Sequence, residues 1–351
     1  NKLFFFANYE DDKQTQPGTT FTARNSLTDS VGGTTTRVLA SDLDSLSSYL
    51  RNSFDYETGP YQGYDFRIPS TRFLARLDFN LNENHKFNIR YNLLNSVSDQ
   101  LISNSTSLGL GNRRTSLQSL NFANSNYAIL ENIRSIVGEW NATFGNKSNN
   151  LIVGYNTSDE SRKTINPPWF PEVEILQGTT NYTTFGFEPF TPLNQLRYNS
   201  YQLQDNFTMY MRNHSLTLGV SVEKYHSTNV FFDGAQSIYV YNSLADFYTD
   251  ANDYLANPTR TVSPVRLRRF QLRYPNIPGQ SEPVQPLDVL YSGVYAQDVW
   301  QPIRNLSLTF GLRVDAPKFK ETAYANAVAD TMTFRDASGA RAVVSRVPRA
   351  S

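Results

Sequence analysis

Cysteine is missing from all 351 residues, so disulfides, thiolate metal sites and cysteine nucleophiles are excluded together. Histidine, methionine and tryptophan occur three times each, and 32 basic side chains are cancelled by 32 acidic ones. That balance gives no field to gather a polyanion, so nucleic acid is not an expected partner. No apolar run approaches the roughly 18 residues of a transmembrane helix. The longest is "LFFFA", Leu3 to Ala7. An initiating Met and a basic-then-apolar leader are also missing, and the chain opens directly in strand-like sequence, which predicts a piece of a longer protein.

Aromatic residues are abundant instead. The 21 Tyr and 23 Phe favour pleated and interfacial surfaces. In "RFLARLDFNLNENHKFNIRYNLL", Phe73, Ala75, Leu77, Phe79 and Leu81 alternate with Arg72, Leu74, Arg76, Asp78 and Asn80. After a polar turn at Asn82 to His85, Phe87, Ile89, Tyr91 and Leu93 alternate with Lys86, Asn88, Arg90 and Asn92. This period of two predicts a hairpin with one uncharged face. The unit recurs around Gly145 to Asn150, around Arg212 to His214, and in "YSGVYAQDVWQPIRNLSLTFGLRVD", residues 291 to 315. There Leu306, Leu308, Phe310, Leu312 and Val314 face one way, and Ser307, Thr309, Gly311, Arg313 and Asp315 the other. With an opening strand at Leu3 to Tyr9, nine strands are expected before the pattern fades after Asp315.

The connections alternate in length. Hairpin turns take about three to six residues, whereas the links between hairpins run to about thirty or more, far above the usual median of about 4–6. Short turns on one side and long loops on the other are the habit of an outer-membrane barrel, whose tilted strands of about ten residues also match the apolar band. One link contains "SDLDSLSSYL", where Ser41 and Asp44 resemble a capping box and Leu43, Leu46 and Leu50 share a helical face. The proline clusters in Thr164 to Glu174 and Arg273 to Pro286 argue against central-strand pairing.

In water, an uncharged face on strand after strand needs a second protein layer, and no long amphipathic helix or second set of strands is evident to supply one. A bilayer is the simpler cover, because a closed antiparallel barrel satisfies every backbone polar group inside it. Trp300, Phe79, Phe144 and Phe87 lie beside short turns, where an aromatic girdle belongs. Arg134 and Lys224 share parity with the lipid-facing residues but fall near the outer rim. Asp205 shares it near mid-depth, which predicts a β-bulge or a covering neighbour. The two faces of 289–300 are similarly apolar, and their orientation stays open.

The expected fold is therefore all-β: a partial, antiparallel, up-and-down transmembrane β-barrel of about nine strands forming an open curved sheet, with long loops and one short loop helix. "NKLFFFANYE", "ARLDFNLNENHKFNIRYN" and the 291 to 315 stretch, with its Tyr295-x-Gln297-Asp298-x-Trp300 phrase and Gly311-Leu312-Arg313, resemble the barrel of TonB-dependent outer-membrane receptors, particularly the Oar-like branch. The resemblance spans Leu3 to Asp315 intermittently. It implies one barrel domain over residues 1–351, with plug and terminal strands absent. It also implies a bacterial outer-membrane location, a lipid bilayer around the chain, import of a large or scarce solute, and coupling to the TonB system through the missing N-terminal region. The alternatives are a passive porin-like channel and a soluble or surface-displayed carbohydrate-binding β protein.

Catalysis has no foothold, and no cofactor is implied. His85 and His214 sit in turns and His226 beyond a strand, none with a carboxylate or second His at ligand spacing, so no metal site is expected. Glu10 and Asp11, at the start of a long loop, carry the pattern of a Ca²⁺ pair, but solvated loop charge is the preferred reading. Arg266, Arg268 and Phe270 share one side of "VRLRRFQLR", and Trp169 and Phe170 stand between prolines; these five are the candidate solute contacts. The competing reading puts the arginines in water at the barrel rim and packs the rings onto neighbouring loops. Asn141 and Asn206, in N-x-T triplets, are expected to bond across a lumen.

Overall fold

A computed structural model describes residues 2–164, 169–275 and 282–320, with the backbone of two further short strands. In chain order the elements are β1 (Leu3–Pro17), β2 (Thr22–Arg24), β3 (Thr35–Leu39), α1 (Ala40–Phe54), β4 (Asp65–Asn80), β5 (His85–Gln100), β6 (Tyr127–Phe144), β7 (Lys147–Asp159), β8 (Arg162–Thr164), β9 (Glu172–Gln177) and β10 (Thr180–Phe185). They continue with β11 (Gln195–Met211), β12 (His214–Val230), β13 (Ile238–Tyr241), α2 (Leu244–Ala256), β14 (Arg269–Gln271), β15 (Gln285–Ile303), β16 (Leu306–Phe319), β17 (Thr333–Arg335) and β18 (Arg341–Val343). The main sheet is an antiparallel meander in the order β1-β4-β5-β6-β7-β11-β12-β15-β16, with β8 added beside β6. These are the nine expected strands. The sheet is open: among the described residues β1 and β16 each pair on one side only. The strands are longer than about ten residues, β15 reaching 19, because they run on past an apolar band into the long connections.

Residues opposite one another in an antiparallel ladder share a face, so the register fixes orientation from strand to strand. Phe310 pairs with Asp298 and Leu312 with Ala296. Ala296 pairs with Leu218, Leu218 with Phe207, and Phe207 with Asn149. On the far side of the sheet Trp140 pairs with Phe87, Phe87 with Phe79, and Phe79 with Leu3. The apolar faces of the strands thus lie on one side, with Asp205 and Asp298 among their residues. The orientation left open in 289–300 is settled by the same chain of pairs: Leu290, Val294, Ala296 and Trp300 belong to that outward side. Many of its large side chains are bare, Leu312 at 74% and Phe5 at 83%, and neither buried cluster among the described residues includes any of them.

The other side is wired with polar bonds. Glu139 accepts from Asn88, Asn141 and Asn150 at 2.8–2.9 Å, and Asn150 also donates to Asn141. Tyr295 donates to Asn206, and Arg313 bonds Asp315 and Ser221 while lying 5.2 Å over the Tyr295 ring. Asn141 and Asn206 therefore bond across strands on the inward face. Gly219 lies opposite Tyr295, and a Cβ there would collide with that ring, so glycine is what lets the tyrosine lie flat on the sheet.

Three expectations on this sheet need correction. Asp205 sits in an unbroken ladder on both sides, with no bulge. It stays outward, and its carboxylate accepts from Asn149 at 2.7 Å, a neighbour that only strand pairing supplies. The irregularity lies instead between Trp300 and Ile303, at the β15–β16 turn. Two of the three histidines do have carboxylate partners: His214 Nδ1 is 2.6 Å from Asp298, and His226, which lies within β12, is 2.9 Å from Asp288. Each acid comes from β15, more than sixty residues away, so spacing could not reveal it. No group of three metal-ligating side chains occurs among the described residues. Glu10 and Asp11 lie inside β1 and pair with Arg72 and Lys13.

All four long connections leave the same end of the meander, and they are folded. One core joins Val38, Leu43, Leu46 and Leu50 of the first, Leu120 and Phe122 of the second, Val173, Ile175 and Phe185 of the third, and Tyr241 and Phe247 of the fourth. A second sheet, in the order β10-β9-β13-β14, supports this cap. Among the described residues there are two α-helices rather than one. In α1 the three predicted leucines are buried, but the helix begins at Ala40 after Leu39 with no side-chain cap, so the Ser41–Asp44 box does not form. The capped helix is α2, where Ser243 accepts from the Asp246 N–H at 3.1 Å. Against the expectation from the prolines, Glu172–Gln177 is an interior strand that begins directly after Pro171. Residues 165–168 and 276–281 of the two proline clusters, and most of the tail, lie outside the described residues.

Candidate functional site

The cap contains an open groove of about 350 Å³ between α1 and α2, floored by β9 and β13. Alternation along β9 builds it: Val173 and Ile175 face the helices, while Glu172 and Glu174 face away. Along β13, Tyr239 and Tyr241 share the groove side, with rings stacked at 6.3 Å. Leu50 and Phe54 of α1 form one wall, and Phe247, Ala251 and Tyr254 of α2 the other. At one end Asp250 accepts from Tyr241 at 2.6 Å, from Arg260 at 2.5 Å and from Ser263 at 2.5 Å. Arg260 also reaches Asp253 at 2.6 Å and lies 5.9 Å over the Tyr254 ring. Burial, reinforced by the Asp250 carboxylate, pushes the Tyr241 hydroxyl far above its ordinary range, so it stays a donor.

The five predicted contacts separate. Phe170 lines the groove, stacked on Tyr56 at 4.0 Å and edge-on to Phe54 at 6.3 Å. Trp169 lies half exposed, edge-on to Phe187 at 5.9 Å. Phe270 packs on Tyr239 at 4.9 Å, at the margin of the groove. Arg266 and Arg268 are exposed and line no part of it, while Val265 and Leu267 between them pack toward the core. Sequence reading missed Tyr239, Tyr254, Asp250 and Arg260. A signal was present: Ser243 and Asp246 form an N-cap pattern, and Phe247, Ala251 and Tyr254 follow at helical spacing.

Beneath the second sheet, Arg113 is wholly buried between Glu172 at 2.9 Å and Glu174 at 2.8 Å. Its remaining donors go to the carbonyls of Ser103, Ser105 and Leu108, closing the second connection onto the third. Glu188, also buried, accepts from Ser103, Phe190 and Thr191. Burial first, and the Glu174 charge second, hold the Glu172 carboxyl well above the usual carboxylate range, and burial raises Glu188 as well. Both carboxyls bind protons more tightly folded than unfolded, so their stabilising contribution is complete below about pH 4.5 and fades as pH climbs through the raised values. Amides of Val173 and Ile175 in the complete protein are therefore expected to exchange more slowly, after correction for intrinsic rate, at pH 5 than at pH 8. Glu172→Gln is expected to flatten that difference, and a pH-independent wild type would contradict it.

A family model described as "Outer membrane beta barrel domain" matches residues 1–338. The chain belongs to that family. The outer membrane is accordingly its location, and the bare outward face is the face that meets lipid. Among solved structures, this barrel is similar to the outer membrane transporter YddB from Escherichia coli, at 9% identity and a TM-score of 0.53, covering 90% of this chain and 32% of the transporter. It also aligns with the siderophore receptor PirA from Acinetobacter baumannii, at 11% identity and a TM-score of 0.37, over 76% of this chain and 31% of the receptor. The barrel segment thus spans about a third of either protein. No curated protein matches the sequence.

Proposed function

We propose that this barrel segment belongs to a TonB-dependent active transporter of the Oar-like branch, which imports a solute too large or too scarce for porins and first holds it in the groove between α1 and α2. The observation that carries the reading is the shared core of the four long connections, which sets an aromatic, partly open groove at the mouth of a sheet whose inward face is polar. A groove of this size, apolar in its walls with a few polar groups at one end, suits a single drug-sized moiety of the solute. Phe170, Tyr239 and Tyr254 supply ring faces, and Trp169 and Phe270 lie at the margin. Arg266 and Arg268 stand outside the groove as exposed charges available to an approaching solute. TonB engages the parent protein through its N-terminal region. A soluble carbohydrate-binding protein would need its outward face covered, and nothing among the described residues covers it.

Cells expressing the complete protein, given a defined mixture of solutes above the porin size limit, are expected to deplete at least one of them. A protonophore should abolish the depletion. Phe170→Ala combined with Tyr239→Ala should cut it about tenfold, the loss of two ring contacts, while the protein still migrates as a folded barrel in unheated gels. Depletion that continues with the protonophore present would support a passive channel instead.

A further inference from the structure

The short-turn end of the outward face carries a feature that solute uptake does not use. His85, the first residue of β5, pairs with Ala142 of β6. Trp140 and Phe144 stand two places to either side of Ala142, so all four share a face. The imidazole is parallel to the Trp140 indole, centroids 5.9 Å apart at 11°, and edge-on to Phe144 at 5.5 Å. Ala142 lies beneath the three rings at 3% exposure, a small floor to an aromatic notch. Trp140 Nε1 donates to His85 Nδ1 at 3.3 Å, which places the imidazole proton on Nε2 and leaves that N–H without a partner among the described residues.

A cation completes the notch. Lys147 begins β7, pairs with Phe144 across the two-residue turn and with Met209 on the other side, and so lies outward too. Its side chain is exposed, and the ammonium has no hydrogen bond or ion pair among the described residues. We propose that His85, Trp140, Phe144 and Lys147 bind the phosphodiester headgroup of a phospholipid in the leaflet on the short-turn side. A neutral N–H donor and a free ammonium bracket a position at the edge of the apolar band, where headgroup phosphates reside and where aromatic rings meet the acyl boundary. Charge-assisted bonds to a phosphate oxygen satisfy both donors, and the rings cover the first acyl carbons.

The barrel contains its own control. His214 stacks on Trp300 at 5.8 Å and 4°, the same ring pair at the same depth, but its Nδ1 is held by Asp298 at 2.6 Å. A carboxylate replaces the free cation there, and that pair holds no phosphate. The test is native mass spectrometry of the complete protein released from phosphatidylglycerol–phosphatidylethanolamine nanodiscs. Wild type is expected to retain a bound phospholipid that His85→Ala with Lys147→Gln loses about fivefold. Lys147→Arg should keep it, and His214→Ala should leave it unchanged. Equal retention by wild type and the double variant would overturn the site, as would equal loss in His214→Ala. Displacement by excess inorganic phosphate in detergent would overturn the lipid as its ligand and assign free phosphate instead. Unheated gel migration identifies any variant that failed to assemble, and Lys147→Gln alone then carries the comparison.

Discussion

Arg113→Ala is expected to destabilise the cap by about 3–5 kcal/mol, the cost of breaking a buried pair by removing one partner. Glu172 and Glu174 have no exposure through which water could solvate them, and Glu172 already has one oxygen with no partner. The carbonyls of Ser103, Ser105 and Leu108 would lose their donor as well. Because these bonds lie in the connections and not in the ladders, the main sheet should survive. Limited proteolysis of the complete protein in membranes is expected to cleave Arg113→Ala within 101–126 and 169–194 at protease levels that leave wild type whole. Both should yield the same heat-modifiable barrel. Arg113→Met with Glu172→Leu and Glu174→Leu, which removes the charges together, should restore much of the resistance. A single Arg113→Ala that resists cleavage like wild type would refute a structural role for this cluster.

The second large effect lies on the lipid face. Phe310→Arg places a guanidinium on the outward side near mid-band and is expected to cost about 2–4 kcal/mol, whereas Leu308→Arg, nearer the turn, costs less because the penalty falls toward the interface. Thr309→Arg should be far better tolerated, since Thr309 pairs with Val299 on the polar side. The measurement is the fraction of complete protein that reaches the heat-modifiable state in outer membranes. The expected order is Thr309→Arg highest, then Leu308→Arg, then Phe310→Arg. Equal assembly of all three would contradict the assigned faces. The inward side gains a charge beside groups such as Arg313 and Asp315 that are already solvated or paired.

The main sheet was legible because its periodicity is carried locally. In β16, five apolar residues at every second place determine a face whatever the neighbouring strand does, and the β4–β5 turn announces itself in Asn82 and its neighbours. Strand 289–300 was not legible alone, because Leu290 and Val299 make both sides apolar; its orientation comes from pairing with Leu216 and Leu218. Asp205 misled for a related reason. Its acceptor bond comes from Asn149, a residue 56 positions away that only the β7–β11 ladder brings near.

The site was mostly invisible. Phe170 could be singled out as an aromatic between prolines, but nothing local says that Tyr56 stacks on it or that Tyr239 lies across the groove. The sequence E-V-E-I at 172–175 looks half solvated, with acids on one side. Its acidic side is buried only because Arg113 arrives from another connection.

By itself, then, the order of side chains along each strand determined the fold class, the uncharged face and the preference for lipid, since a two-residue period is set by backbone geometry and the solvent it must meet. Tertiary structure alone decided what the long connections become. Their apolar residues are too few in any one segment to bury each other, and only the meander's habit of returning every link to the same end brings four partial cores together into one cap with a groove in it.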